Sequence, residues 1–194
     1  MANLLTGREA ITKLQEGNKR FTEDKRVHPH QGVDRRLEVM KGQTPFAAIL
    51  GCSDSRVPLK IIFDQGIGDL FVVRVAGNVV DDIVLASIEY AAEHLNVPLI
   101  VVLGHQNCGA VQAAVQGGHA PGHIPALMDA LQPALEEART QAGDDLVEKA
   151  VRANVRLTAD AIRNSSLLSQ LTRDGRVEVV GAYYSLETGR VDFL

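Results

Sequence analysis

The sequence contains no tryptophan and few aromatic residues of any kind. Aromatic side chains make up 4 % of its 194 residues, whereas hydrophobic residues as a whole make up 45 %. The core must therefore be built from aliphatic side chains and alanine. No apolar run approaches the roughly 18 residues that cross a bilayer, so the sequence favours a globular protein that does not span a membrane.

The sequence also has few cysteines and little charge imbalance. Lys and Arg total 20 against 24 Asp and Glu, a formal charge of −4, whereas nucleic-acid-binding proteins usually carry a basic face. Its two cysteines, Cys52 and Cys108, are too few for a disulfide scaffold. The start of the chain lacks the long apolar stretch of a signal peptide. We therefore expect a cytoplasmic protein that binds neither nucleic acid nor membrane and keeps both thiols reduced.

Residues 1–45 are predicted to form an N-terminal helical arm and linker. The spacing of apolar residues predicts a helix over about 8–24. Breakers such as His-Pro-His and Gln-Gly predict no regular structure over 26–45. Such an arm can lie along its own domain or along a neighbouring subunit, and the sequence alone leaves both possibilities open.

Residues 46–194 are predicted to form a single α/β domain. Apolar runs at 46–51, 70–75 and 99–103 lack polar alternation, as is typical of parallel strands covered on both faces. Helical stretches between the strands imply right-handed crossovers. We therefore predict an open, mostly parallel β-sheet flanked by helices.

The rest of this domain alternates helical and strand patterns. A helix is predicted over 81–95, and helical periodicity continues over 124–171 with an interruption around 143–145. A further core strand is predicted at 177–182, followed by a short edge strand at 190–193.

Both cysteines and one histidine follow predicted strands directly. Cys52 follows the first strand, while His105 and Cys108 lie in the turn after the third. Ligand sites in open α/β sheets lie beyond the carboxyl ends of the strands, and two thiolates with one imidazole form a natural zinc set. Three protein ligands leave a fourth position open, as at catalytic zinc sites.

Other interpretations of these residues remain open at this point. A buried cysteine after a strand is usually a small apolar residue, and a lone His105 is more often a hydrogen-bonded structural residue. A Cys–His redox or nucleophile pair is a further hypothesis, but it gives Cys108 no role.

Asp54 and Arg56 begin two residues after the first proposed ligand. Their spacing lets the guanidinium grip the carboxylate through two parallel hydrogen bonds. The alternative is an exposed ion pair worth about 0–1 kcal/mol. Their position beside Cys52 favours a role in supporting the metal site.

Two motifs together resemble the signature pair of the β-class carbonic anhydrases. They are Cys-Ser-Asp-Ser-Arg-Val-Pro at 52–58 and Gly-His-Gln-Asn-Cys-Gly at 104–109. The resemblance extends over nearly the whole chain, and further blocks similar to the family lie at 17–21, 70–78, 87–91 and 180–184.

The resemblance implies a zinc enzyme that catalyses the reversible hydration of CO2 to bicarbonate and a proton. One Zn2+ per subunit would be bound by Cys52, His105 and Cys108, and zinc-bound hydroxide would attack CO2. Asp54 and Arg56 would form the catalytic dyad.

The resemblance also implies a substrate cleft at the interface of a homodimer, with tetramers common in the family. Gln43 matches a position that hydrogen-bonds substrate, and Gly109 is placed in the same cleft. Phe71 and Tyr90 match apolar positions that the neighbouring subunit supplies.

A closed, inactive state is a further implication, in which Asp54 leaves Arg56 and becomes a fourth zinc ligand. A regulated subgroup of the family does this, and it carries a Trp where this chain has Ile49. Two other functions stay open: a zinc hydrolase of a CO2 analogue such as CS2 or COS, and a catalytically idle zinc-stabilised scaffold.

Overall fold

The computed structural model describes residues 5–194, within which the chain forms eight α-helices and five β-strands. None of the helices in this range is long and apolar enough to span a membrane. Single 3-10 turns follow α2 and β2. In chain order the elements are α1 (Gly7–Thr22), α2 (Val33–Glu38), β1 (Ala47–Gly51), α3 (Leu59–Ile62), β2 (Leu70–Arg74), α4 (Asp82–Glu93), β3 (Leu99–His105), α5 (Gly109–Gln116), α6 (Ile124–Thr140), α7 (Leu146–Arg163), α8 (Ser166–Arg173), β4 (Glu178–Tyr184) and β5 (Val191–Phe193).

The five strands form one sheet in the order β2-β1-β3-β4-β5. Neighbours among the first four are parallel, and β5 is an antiparallel edge strand on β4. Every residue of β1 and β3 is buried, as expected for central parallel strands covered on both faces. The structure thus confirms the α/β class, the mostly parallel sheet flanked by helices and the C-terminal edge strand.

The sheet has a hydrophobic layer on each face because successive strand residues point in opposite directions. Leu50 of β1 packs in the layer that α4, α7 and α8 cover. Its neighbour Ile49 packs in the opposite layer, which α1 and α3 cover. Both side chains are fully buried, so neither face of the central strand is open to solvent.

Helix α1 packs against the sheet of its own chain. It begins with a capping box, in which the Thr6 hydroxyl accepts from the Glu9 amide at 3.3 Å and the Glu9 carboxylate accepts from the Thr6 amide at 2.7 Å. Ala10 and Leu14 are fully buried on its inner face. Asn18 donates to carbonyls at the end of α3 and in the turn before β5. The apolar stripe therefore seats the helix on strands β1 and β3.

Two local predictions are wrong, and one helix was not predicted. The 26–45 segment is not irregular throughout, because it contains α2; that helix has no buried residue and no side-chain cap, so it leaves no apolar periodicity to detect. Residues 109–116, for which no element is predicted, form the eight-residue α5. The helical stretch from 124 has a second break, where Ser165 ends one helix pattern and caps α8.

Candidate metal centre

Three donor side chains converge where β1 and β3 end side by side. Cys52 follows β1 directly, His105 is the last residue of β3, and Cys108 is the N-cap of α5. The two sulfurs lie 4.0 Å apart. All three side chains are buried, and their ligand atoms lie within 4.8 Å of one another. The fold thus assembles a triad, Cys52–His105–Cys108, that is able to bind a metal ion.

The imidazole of His105 is oriented for coordination. Its Nδ1 lies 2.9 Å from the backbone carbonyl oxygen of Gln106, which can only accept, so Nδ1 carries the proton and donates. The other nitrogen, Nε2, is buried and has no hydrogen-bond partner among the described residues. A backbone carbonyl that accepts from one ring nitrogen and a free lone pair on the other are typical of a metal-ligating histidine. Together with two thiols, this is a donor set that Zn2+ prefers.

The contact between the two cysteine sulfurs shifts their pKa values in opposite directions. The hydrogen bond with Cys108 lowers the pKa of Cys52 to about 4, and the same contact raises the pKa of Cys108. The Gly77 amide donates to the sulfur of Cys52 at 3.3 Å. The contact with Cys52 raises the pKa of Cys108, whereas the Ala110 and Val111 amides in the first turn of α5 lower it. One thiolate therefore forms readily, while a second beside it requires a neighbouring positive charge.

Asp54 and Arg56 form a two-pronged ion pair beside the triad. The Arg56 Nε donates to Oδ1 at 3.0 Å and its Nη2 to Oδ2 at 2.7 Å. The Arg56 backbone amide adds a third bond to Oδ1 at 2.9 Å. The hydrogen bond from the Arg56 side chain lowers the pKa of Asp54 to about 2. Asp54 is therefore ionised at every physiological pH and acts only as a hydrogen-bond acceptor.

A second arginine, Arg74, holds the backbone between the first ligand and the dyad. Its Nε donates to the carbonyl of Cys52 at 2.8 Å, and its Nη2 donates to the carbonyl of Asp54 at 2.6 Å. The Arg56 Nη2 also reaches the carbonyl of Asn107 at 3.1 Å. Arg56 thus joins the two ligand loops, while Arg74 holds the first loop against strand β2. Sequence reasoning assigned Arg74 no role, although it stands out as a charge at the end of an apolar strand.

The predicted cleft residues lie in two places. Gly109 opens α5 directly beside Cys108, so it borders the triad. Gln43 lies in the exposed loop before β1, at the opposite end of that strand from the triad, and a five-residue strand spans about 16 Å. Phe71 lies near the start of β2, and its ring centroid is 6.3 Å from that of Tyr90 on α4. Within one chain the structure brings only Gly109 of these four to the triad.

The fold and the site define an α/β protein with a buried Cys–His–Cys donor triad and an ionised carboxylate at the carboxyl edge of a parallel sheet. A model of the carbonic anhydrase family matches residues 47–191 of the chain. The matched part includes strands β1 to β4 and the whole triad. The chain therefore belongs to the β-class carbonic anhydrases, and it is accordingly a lyase.

Individual relatives agree with this assignment. Carbonic anhydrase 2 of Mycobacterium tuberculosis is 45 % identical over 181 residues, which cover 91 % of this chain and 87 % of that protein. A carbonic anhydrase of Mycolicibacterium smegmatis is 42 % identical over 183 residues, covering 92 % and 89 %. These names give no support to the CS2 or COS hydrolase.

Solved structures share the fold. A β-carbonic anhydrase from Sordaria macrospora, described as tetrameric, matches with a TM-score of 0.76 and 27 % identity over 96 % of this chain and 97 % of its own. The Coccomyxa β-carbonic anhydrase in complex with acetazolamide matches with a TM-score of 0.73 and 25 % identity over 100 % and 87 %.

Proposed function

We propose that this chain catalyses the reversible hydration of CO2 to bicarbonate and a proton with a zinc ion held by Cys52, His105 and Cys108. The observation that carries the proposal is the convergence of three buried donor atoms within 4.8 Å of one another. Zinc in a site with three protein ligands supplies a Lewis acid that lowers the pKa of water. The residues around the triad determine how that water and CO2 are oriented.

Asp54 is the acceptor that orients the attacking water. Its Oδ2 lies 3.9 Å from the His105 Nε2, so the carboxylate borders the triad. Because ionised Asp54 can only accept, a water or hydroxide beside it must donate its hydrogen to the carboxylate. Its lone pair then points away from Asp54 and is free to attack the carbon of CO2. Arg56 fixes this orientation through its paired hydrogen bonds.

The proposal includes a homodimer in which each subunit completes the cleft of the other. Gln43, Phe71 and Tyr90 do not reach the triad of their own chain, and Tyr90 is 48 % exposed on the side of the edge strand β2. A second copy docked along β2 would bury this face. Light scattering of the purified protein is expected to show a dimer or a tetramer, and a monomer would contradict this part of the proposal.

Subunit complementation tests whether Gln43 acts across the interface. The variant Gln43→Ala keeps the triad, and the variant Cys52→Ser keeps Gln43. When the two are co-expressed, a mixed dimer contains one site with an intact triad and an intact Gln43 from the partner. We expect CO2 hydration well above that of either variant alone. No gain in the mixture would place Gln43 outside the neighbouring site.

The overall proposal is tested by a stopped-flow pH-indicator assay of CO2 hydration on protein whose zinc content has been measured. We expect about one zinc per chain and rapid hydration. The same samples assayed for CS2 and COS hydrolysis provide the comparison. Zinc-loaded protein that hydrolyses CS2 or COS but does not hydrate CO2 would overturn the proposal.

A further inference from the structure

We infer that Asn154 is a positioning residue for the metal centre, which acts from helix α7 by fixing the Gly77 amide against the sulfur of Cys52. The inference rests on the proposed zinc-dependent function. Asn154 lies far from Cys52 in the sequence, yet only two hydrogen bonds separate its side chain from that sulfur.

The two hydrogen bonds form a continuous connection. The Asn154 Nδ2 donates to the carbonyl of Gly77 at 2.8 Å. The Gly77 amide in turn donates to the Cys52 Sγ at 3.3 Å. Asn154 is 5 % exposed, so its amide is shielded from water and its bond to Gly77 has little competition from solvent. Helix α7, which packs on one face of the sheet, therefore influences the hydrogen bonding of the Cys52 sulfur through Asn154.

Gly77 needs the hydrogen bond from Asn154 because a glycine backbone can adopt more φ/ψ combinations than that of any other residue. It has φ +68°, in the left-handed region that favours glycine, and a Cβ built there would lie 3.2 Å from the Cβ of Ala110. Glycine is thus required for the close approach, but glycine alone does not hold one conformation. Asn154 anchors the Gly77 carbonyl and thereby keeps the amide on the same residue aimed at Cys52.

The direction of the amide matters for the chemistry of the sulfur. A buried thiolate is stabilised by each N–H that donates to it. Loss of the Gly77 bond would leave Cys52 with more negative charge and fewer donors. Groups hydrogen-bonded directly to metal ligands typically change metal affinity by about 10–100-fold. Because Asn154 acts through Gly77, we expect it to affect zinc affinity at the lower end of that range.

Metal affinity and a spectroscopic signature test this role. In Asn154→Leu and the isosteric Asn154→Asp, we expect zinc affinity, measured by competition with a chelator, to fall about 10-fold, the lower end of the range for groups that touch a ligand directly. With Co2+ in place of zinc, the sulfur-to-cobalt charge-transfer band should move to longer wavelength, because a thiolate without its N–H donor gives up charge more easily. Thr158→Val is the matched control, since Thr158 lies on the same helix and is also 5 % exposed.

The outcomes separate this role from a purely structural one. A structural role would lower the thermal midpoint of the metal-free protein and leave the cobalt band in place, which would overturn the inference. Asn154 variants that bind zinc as tightly as the parent and the Thr158→Val control would also overturn the inference. A parent protein that binds no zinc would overturn the proposed function together with this inference, so the two failures are distinguishable.

Discussion

The carboxylate of Asp54 lies between the side chains of Arg56 and His105. Its Oδ2 lies 3.9 Å from the buried Nε2 of His105, while the Arg56 guanidinium binds both carboxylate oxygens. The ion pair therefore decides whether the carboxylate stays at the edge of the triad or is free to move towards it. In this structure the pair is intact, and Asp54 as a fourth ligand stays a prediction.

Removing the Arg56 side chain is expected to lower catalytic turnover without releasing zinc. In Arg56→Ala, Asp54 keeps its bond from the backbone amide but loses both guanidinium bonds, so its orientation relaxes. We expect kcat for CO2 hydration to fall by about 10–100-fold, with zinc content equal to that of the parent. Arg176→Ala is the control, because Arg176 pairs with Glu93 at the opposite edge of the sheet. Unchanged kcat in Arg56→Ala would contradict the assigned role.

Replacing a member of the triad is expected to remove the metal itself. Cys52→Ser and His105→Ala each leave two protein ligands, too few for a stable zinc site. Elemental analysis should find little zinc in either variant, and CO2 hydration should be lost with it. His119→Ala is a matched histidine control, since His119 lies in an exposed loop. Equal zinc content in Cys52→Ser and the parent would refute the ligand assignment.

Hydration activity is expected to rise from mildly acid to alkaline pH. Two thiolate ligands cancel the charge of a divalent cation, so water at this site is less acidic than at a site of three neutral imidazoles. Asp54 does not produce this rise. The Arg56 hydrogen bond lowers the pKa of Asp54 to about 2. Asp54 is therefore fully ionised above the ordinary aspartate pKa of about 3.9, and it becomes protonated only as the pH falls through about 2. A flat pH–rate profile would contradict the prediction.

The packing of α1 on its own sheet predicts a large cost for removing Leu14. The side chain is fully buried between α1 and the sheet, so Leu14→Ala creates a cavity. We expect the free energy of unfolding to fall by about 2–5 kcal/mol, measured by chemical denaturation at fixed protein concentration. Leu37→Ala is the control, since Leu37 is 55 % exposed on α2, and it should change stability by less than about 0.5 kcal/mol. Similar losses in both variants would contradict the burial of α1.

The sequence predicts the sheet well because its central strands are buried on both faces. Ile49 and Val101 belong to unbroken apolar runs of aliphatic residues, and both runs are strands in the structure. Helix α2 escapes prediction because it buries no residue. The break before α8 escapes because Ser165 is a single capping residue inside a continuous helical pattern.

Residue type and position along the chain are enough to indicate which side chains carry the chemistry. Cys52, His105 and Cys108 follow strands whose carboxyl ends must share one edge, and their chemistry suits zinc. The supporting contacts of Arg74 and Asn154 could not be read in this way. They depend on strand register and on how helix α7 packs, and hydrogen bonds between residues far apart in sequence exist only once the chain has folded.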